Sequence, residues 1–438
     1  MHSAASTPTA GDEAQLFHSD INQLISRPPL RVLLAANFFV LSLVGAAAAQ
    51  SLQVQLSHTA ESLRGVSAVS RQVAWAAGTH GTYLRTIDAG ATWTPAQVPD
   101  ATTLDFRAVV AFDADEAFLM SAGPGDQSRI YHTTDAGKHW QRQFTNTNPK
   151  GFFDSMVFWD RMHGIVLGDP IPDDSGNLKF ELLRTDDGKA WYAIPPAQLP
   201  PALEGEGAFA ASNTCIAILQ SARAHIANAT STLVIPRSEA TRNLLSAAAR
   251  DAGTTTPPPA QAWKSGASAP DIWFATGGKA ARVFHSSDRG ETWQVSDTPI
   301  IRGPDSAGIF SIAFRDRMHG VIVGGDYKRP DDDGPNLAFT EDGGKTWTLS
   351  PAHPLVYFSA VAYDRKANQA AKPAPAQRLF LVGQDFIFDF RPPAKPIRIS
   401  PTKDVPMKFN AASAYPEGGV VIVGPKGAIA TIPKRRFR

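Results

Sequence analysis

The chain has 438 residues, 43% of them hydrophobic and 19% charged, with a formal net charge of +1. So even a balance gives no electrostatic ground for binding nucleic acid, and any charge-driven recognition has to be local. The single cysteine, Cys215, excludes an internal disulfide framework and a multi-cysteine metal site.

In chain order, Arg27-Pro-Pro-Leu-Arg31 precedes an apolar run from Val32 to Gly45 and then four alanines, Ala46 to Ala49. Charged, apolar and small residues in that order form a secretory signal, so export to a periplasmic or extracellular space is expected. Residues 1–49 read either as a leader cut after Ala49 or as an anchor, because the 18 residues 32–49 reach the lower limit for a membrane span.

From residue 86 onward one pattern, Thr/Ser-x-Asp-x-Gly-x-x-Trp, occurs five times. Its key residues are Asp88, Gly90 and Trp93; Asp135, Gly137 and Trp140; Asp186, Gly188 and Trp191; Asp288, Gly290 and Trp293; and Asp342, Gly344 and Trp347. The third copy has Arg184 where the others have a hydroxyl residue. An Asp carboxylate accepts hydrogen bonds from N–H groups of its own turn, Gly supplies a positive φ, and Trp leaves the turn as an apolar wedge. The aspartates are 47, 51, 102 and 54 residues apart, and a period near 50 belongs to blade-type β repeats.

Strand-like inner segments begin near Leu63, Phe106, Phe153, Gly207, Ile309, Phe358 and Phe409, which predicts seven blades. The double interval holds one such segment, so the fourth blade carries an insertion over residues 221–270, rich in Ala, Ser, Thr and Pro and unsuited to a core. Cys215 reads as a buried strand residue. The last blade lacks an outer strand before the basic tail, residues 434–438, and the segment after Gln50 can supply it. The expected fold is an all-β, seven-bladed β-propeller over residues 50–433, closed by pairing the N- and C-terminal strands in the last blade.

Loops opening the inner strands share a ring face with those joining second and third strands. That face collects Arg64, Arg107, Asp154 and Glu206, with acidic loops starting at Asp169 and Asp326. Arginines suit a partner carboxylate. The acidic loops lack a regular calcium-ligand spacing and read as solvated turns, so no metal or cofactor is expected.

The repeated turns resemble the Asp-box, or BNR, repeat of sialidase-like propellers. More of the chain, Leu63 to Ile432 apart from the insertion, is similar to the photosystem II stability and assembly factor family, through Arg64-Gly-Val and Trp75-Ala-Ala-Gly78-Thr-His-Gly81-Thr-Tyr-Leu-Arg85 ahead of the first turn. That resemblance implies an exported, non-catalytic, monomeric scaffold binding a protein or membrane-protein intermediate through an arginine-bearing face. Arg64 and Arg107 match its arginines, whereas Asp154, Ser359 and Asn410 occupy comparable places in later blades. The sialidase resemblance implies instead a glycoside hydrolase or glycan-binding module, with Glu206 and Asp154 as the acids. The Arg-Ile-Pro element of sialidases is missing, and no Tyr pairs with these acids by sequence.

Overall fold

The computed structural model describes residues 52–199, 201–219, 269–352, 355–365, 378–399 and 408–433. The leader or anchor, the interior of the insertion and the basic tail expected from the sequence lie outside the described residues. Seven antiparallel blades follow one another, as the repeat count requires. Their inner strands are Leu63–Ala68, Asp105–Ala111, Phe153–Phe158, Ile216–Leu219, Ala307–Phe314, Ala360–Tyr363 and Ala411–Ala414. Second strands such as Ala74–Gly78 and Ala117–Ala122 are buried at every position, because both of their faces lie against neighbouring blades. Outer strands such as Thr94–Gln97 face water and are correspondingly polar.

Gln53–Gln55 is the outer strand of the seventh blade, pairing with Ile429–Pro433 in the register Gln53↔Thr431, Val54↔Ala430 and Gln55↔Ile429. Closure leaves the ring without an unpaired seam. The core is distributed accordingly: seven hydrophobic clusters of described residues each join two successive blades, including the last to the first through Leu63, Trp93, Val421 and Ile429.

The first and third of the repeated turns are latched to the outer strand of the preceding blade. In the first, Thr86 Oγ1 donates to Asp88 Oδ1 at 2.8 Å and accepts from Gly90 N–H at 2.9 Å, while Asp88 Oδ1 also accepts from Thr92 N–H at 2.9 Å. Gly90 has φ +82°, which an L side chain resists. Trp93 Nε1 then donates to Gln55 Oε1 at 2.9 Å, and Gln55 Nε2 donates to the Ala89 carbonyl at 3.0 Å, so the closing strand latches the first blade. Gln143 does the same for the third blade, accepting from Trp191 Nε1 at 3.0 Å and donating to the Gly188 carbonyl at 2.8 Å.

The third turn departs from the sequence alignment. Its carboxylate is Asp187, not Asp186: Thr185 Oγ1 donates to Asp187 at 3.2 Å, and Asp187 accepts the N–H groups of Lys189 and Ala190 at 2.8 Å each. Gly188 N–H reaches Thr185 Oγ1 at 3.0 Å across one residue fewer than in the first turn. The hydroxyl missing at Arg184 is thus supplied by Thr185, and Asp186 instead accepts the Tyr192 hydroxyl.

Hydrogen bonds from the turns hold the carboxylates of Asp88, Asp135 and Asp342 down at about 2. Their folded values lie below the ordinary carboxylate range near 4, so they stabilise the fold above that range and lose the contribution as pH falls through about 2. A variant with all three changed to Asn should melt below the unchanged protein at pH 5, with the gap closing toward pH 2. A gap constant over that interval would contradict this account.

Candidate functional site

In four blades the inner ladder slips by one residue where the strand begins, at Arg64, Arg107, Asp154 and Phe310. Such a bulge re-aims the side chain of the extra residue. Ser359 and Asn410 take the same place in blades six and seven, their N–H groups bonding the Val382 and Val423 carbonyls at 2.8 Å each. In the fourth blade the register of Ile216–Leu219 against Asp271–Ala275 gives that place to Thr214, which does not line the cavity. The other six residues line one cavity of about 410 Å³, joined there by Ala208 to Ala211 from the segment ahead of the fourth blade's inner strand.

The fourth blade also corrects the sequence reading. The segment beginning at Gly207 was expected to be its inner strand, but that strand is Ile216–Leu219, and the chain leaves it directly into the insertion and returns through Asp271–Ala275. Residues 208–214 instead reach four other blades. Ala210 accepts from Arg107 NH1 at 3.1 Å, Asn213 Oδ1 accepts from Met156 N–H at 2.7 Å, Phe209 stacks on Phe310 at 3.9 Å, and Ser212 Oγ donates to the Ser359 carbonyl at 2.9 Å. The segment therefore plugs the ring axis and floors the cavity. Its composition of Ala, Phe, Ser and Asn imitates a strand, which is why spacing alone missed it. Cys215, just beyond, is buried with a free thiol whose pKa burial pushes up.

Chemically the cavity has sectors. Blades one and two make it basic: Arg107 Nε donates to Asp105 Oδ2 at 2.9 Å, and Arg64 Nε lies 3.9 Å from the same oxygen with no hydrogen-bond partner among the described residues. Blade three makes it acidic through Asp154 and Asp169. Asp154 is 1% exposed, and its Oδ2 has no hydrogen-bond partner among the described residues. Burial first, then repulsion from Asp169, raise its carboxyl well above the ordinary range against the pull of Arg107. Asp169 is raised by burial and accepts the Ala208 N–H at 3.0 Å. Phe209, Phe310, Tyr327 and Tyr357 form an aromatic wall, with Phe310 edge-on to Tyr357 at 4.9 Å.

An acid whose folded pKa is raised adds nothing unfavourable below the ordinary carboxylate range and destabilises increasingly as pH rises above it. Asp154→Asn should therefore stabilise the chain by about 2 kcal/mol at neutral pH, the scale for relieving an unsatisfied buried group. The gain should vanish below about pH 4. Denaturant unfolding at pH 7.5 and pH 3.5 checks it; a variant less stable at the higher pH contradicts it.

Two residues expected on this face are engaged elsewhere. Glu206 is buried, accepting from Thr276 Oγ1 at 2.6 Å, from Arg282 Nε at 2.9 Å and from Leu203 N–H at 2.9 Å, so it braces the fourth blade and does not line the cavity. Asp326 is 5% exposed and accepts from Lys328 N–H at 2.9 Å and Arg329 Nε at 3.1 Å within its own loop, beside the cavity residue Tyr327. In the other acidic loop Asp173 likewise caps its own turn, accepting from Ser175 and Asn177 N–H groups at 2.9 Å each. Among the described residues no group of three or more His, Cys, Asp or Glu side chains is placed to hold a metal ion. The sequence signalled Arg64, Arg107, Asp154 and Asp169, all of which line the cavity, but not Phe310 or the aromatic wall, since an aromatic at the start of a strand is indistinguishable from core.

Fold and cavity together define a seven-bladed propeller with a plugged axis and a binding-sized hollow on one face. The model of the photosynthesis system II assembly factor YCF48 family matches residues 45–169, which span the first two blades and the start of the third, and the chain resembles that family. A solved structure described as YCF48 bound to D1 peptide is 15% identical, covers 88% of this chain and 97% of its own, and superposes with a TM-score of 0.54. YCF48 from Cyanidioschyzon merolae is also 15% identical, over 87% of this chain and 98% of its own, with a TM-score of 0.36. The WD40 propeller domain of Doa1 reaches 0.51 at 8% identity, covering 88% of this chain and 98% of that one. At such identities the likeness concerns the fold. Among curated proteins no sequence matches this chain.

Proposed function

We propose that this chain is an exported, non-catalytic scaffold that holds a segment of a protein or membrane-complex intermediate in its axial cavity. The observation that carries the reading is the convergence of the strand-opening residues of six blades on one hollow, where bulges hold Arg64 and Arg107 ready for a partner carboxylate. The similar structure whose description names a bound peptide is in keeping with this, as is the sequence likeness over residues 45–169. A rigid ring loses little conformational freedom on binding, so modest contacts suffice. Export rests on the apolar run from Val32 to Gly45 and the alanines that follow it.

The glycoside hydrolase reading has less support, because Glu206 is committed to Arg282 and Thr276. Changing both Arg64 and Arg107 to Ala should cut retention of a partner from solubilised membranes of the source cells by about tenfold or more, the scale for losing charged contacts at an interface centre. Undiminished retention by the double variant, with an unchanged melting temperature, refutes the placement of the site.

A further inference from the structure

Two arginines would suit any acidic ligand, but the third blade turns the cavity into something more selective. Asp105 already engages Arg107 at 2.9 Å and lies 3.9 Å from Arg64, taking up one of the two positive charges. What remains on that side is one cationic charge, facing two carboxylates on the next blade, Asp154 and Asp169. Asp154 presents a buried oxygen with no hydrogen-bond partner among the described residues. Beside the carboxylates runs the plug: Ala208 N–H is bonded to Asp169 at 3.0 Å, and the next residue, Phe209, is stacked on Phe310 with planes 7° apart. Carboxylates next to aromatic faces are the surroundings in which ammonium and guanidinium groups are held, by charge-assisted hydrogen bonds and cation–π attraction together.

We infer that the acidic sector of the cavity, Asp154 and Asp169 beside the Phe209–Phe310 stack, receives a Lys or Arg side chain of the bound segment while Arg64 and Arg107 take a carboxylate of the same segment. The inference rests on the reading of the cavity as a protein-binding site and adds the chemistry of the segment: a base and an acid close together. A volume of about 410 Å³ accommodates a few side chains and no folded element. The raised carboxyl of Asp154 fits the same picture, since an incoming cation supplies the partner its charged form lacks.

Three small probes test it, each titrated into the full chain by calorimetry. Nα-acetylarginine carries both charges, Nα-acetylnorleucine only the carboxylate, and N-acetylagmatine only the guanidinium. The expected result is that Nα-acetylarginine binds about tenfold or more tightly than Nα-acetylnorleucine, and that Asp154→Asn and Asp169→Asn each erase most of that preference. Arg64→Ala with Arg107→Ala should weaken Nα-acetylarginine and leave N-acetylagmatine unaffected. Equal binding of Nα-acetylarginine and Nα-acetylnorleucine overturns the inference. So does a preference that survives both Asp variants, or an absence of binding by every probe at about 10 mM. If partner retention depends on the arginines while the two carboxylate probes bind alike, the inference fails and the protein-binding reading stands. If Nα-acetylarginine binds through Asp154 and retention ignores the arginines, the cavity is a basic-ligand site and the partner docks elsewhere.

Discussion

Replacing Arg378 by Met should lower stability by about 3–5 kcal/mol, the largest single-residue effect expected in this chain. Arg378 is 2% exposed, yet it carries a full charge between two blade-six carboxylates. Its NH1 donates to Asp364 Oδ2 at 2.6 Å, its Nε and NH2 donate to the two oxygens of Asp389 at 3.1 Å each, and its guanidinium carbon lies 4.5 Å from the centroid of Phe380. Met fills much of the volume, so the loss measures charge and not a cavity. Asp364 and Asp389, 2% and 4% exposed, would be left without their main counter-charge. Adding Asp364→Asn and Asp389→Asn should restore most of the stability, because removing a buried ion cluster whole costs far less than breaking it. Urea unfolding with an unchanged slope reads both effects. A loss under about 1 kcal/mol for Arg378→Met contradicts the account.

Deleting Gln53–Gln55 should cost about 4 kcal/mol and make the protein self-associate. The deletion removes three paired positions from the seventh blade, and with Gln55 go the acceptor of Trp93 Nε1 and the donor to Ala89. Each lost hydrogen bond contributes about 1 kcal/mol, and leaving the indole N–H buried without a partner adds to it. The uncovered strand, Ile429–Pro433, is buried at four of its five positions and would become an open edge able to pair with a second copy. Gln55→Ala alone should show only the latch portion, roughly 1–2 kcal/mol, without association. Sedimentation and denaturant unfolding of both variants test this; a monomeric deletion variant of undiminished stability would show that the ring does not depend on its closure.

Blade number and ring closure were legible because they follow from periodicity: a turn every 50 or so residues, and strand patterning that leaves the seventh blade without an outer strand of its own. The third turn was misassigned because Asp186 keeps the pattern's spacing to Gly188 and Trp191 while Asp187 keeps its spacing to a hydroxyl residue, Thr185, and only the shortened loop to Gly188 selects the second. The plug was missed for a different reason. Residues 208–214 owe their path to partners in four other blades, and no local propensity encodes a contact such as Ser212 to Ser359. Of the site, Arg64, Arg107 and Asp154 could be read from their place before each inner strand. Glu206 could not be set aside, because its partner Arg282 lies 76 residues away across the insertion.

Photocrosslinking tests the central claim, that the partner enters the axial cavity, most directly. A benzoylphenylalanine at Tyr327, half-exposed and lining the cavity, should give a covalent adduct with the retained membrane partner, and one at Ile397, 61% exposed on the outer strand of blade six, should give none. Adducts from Ile397 alone, or from both sites equally, would place the partner outside the cavity and contradict the account.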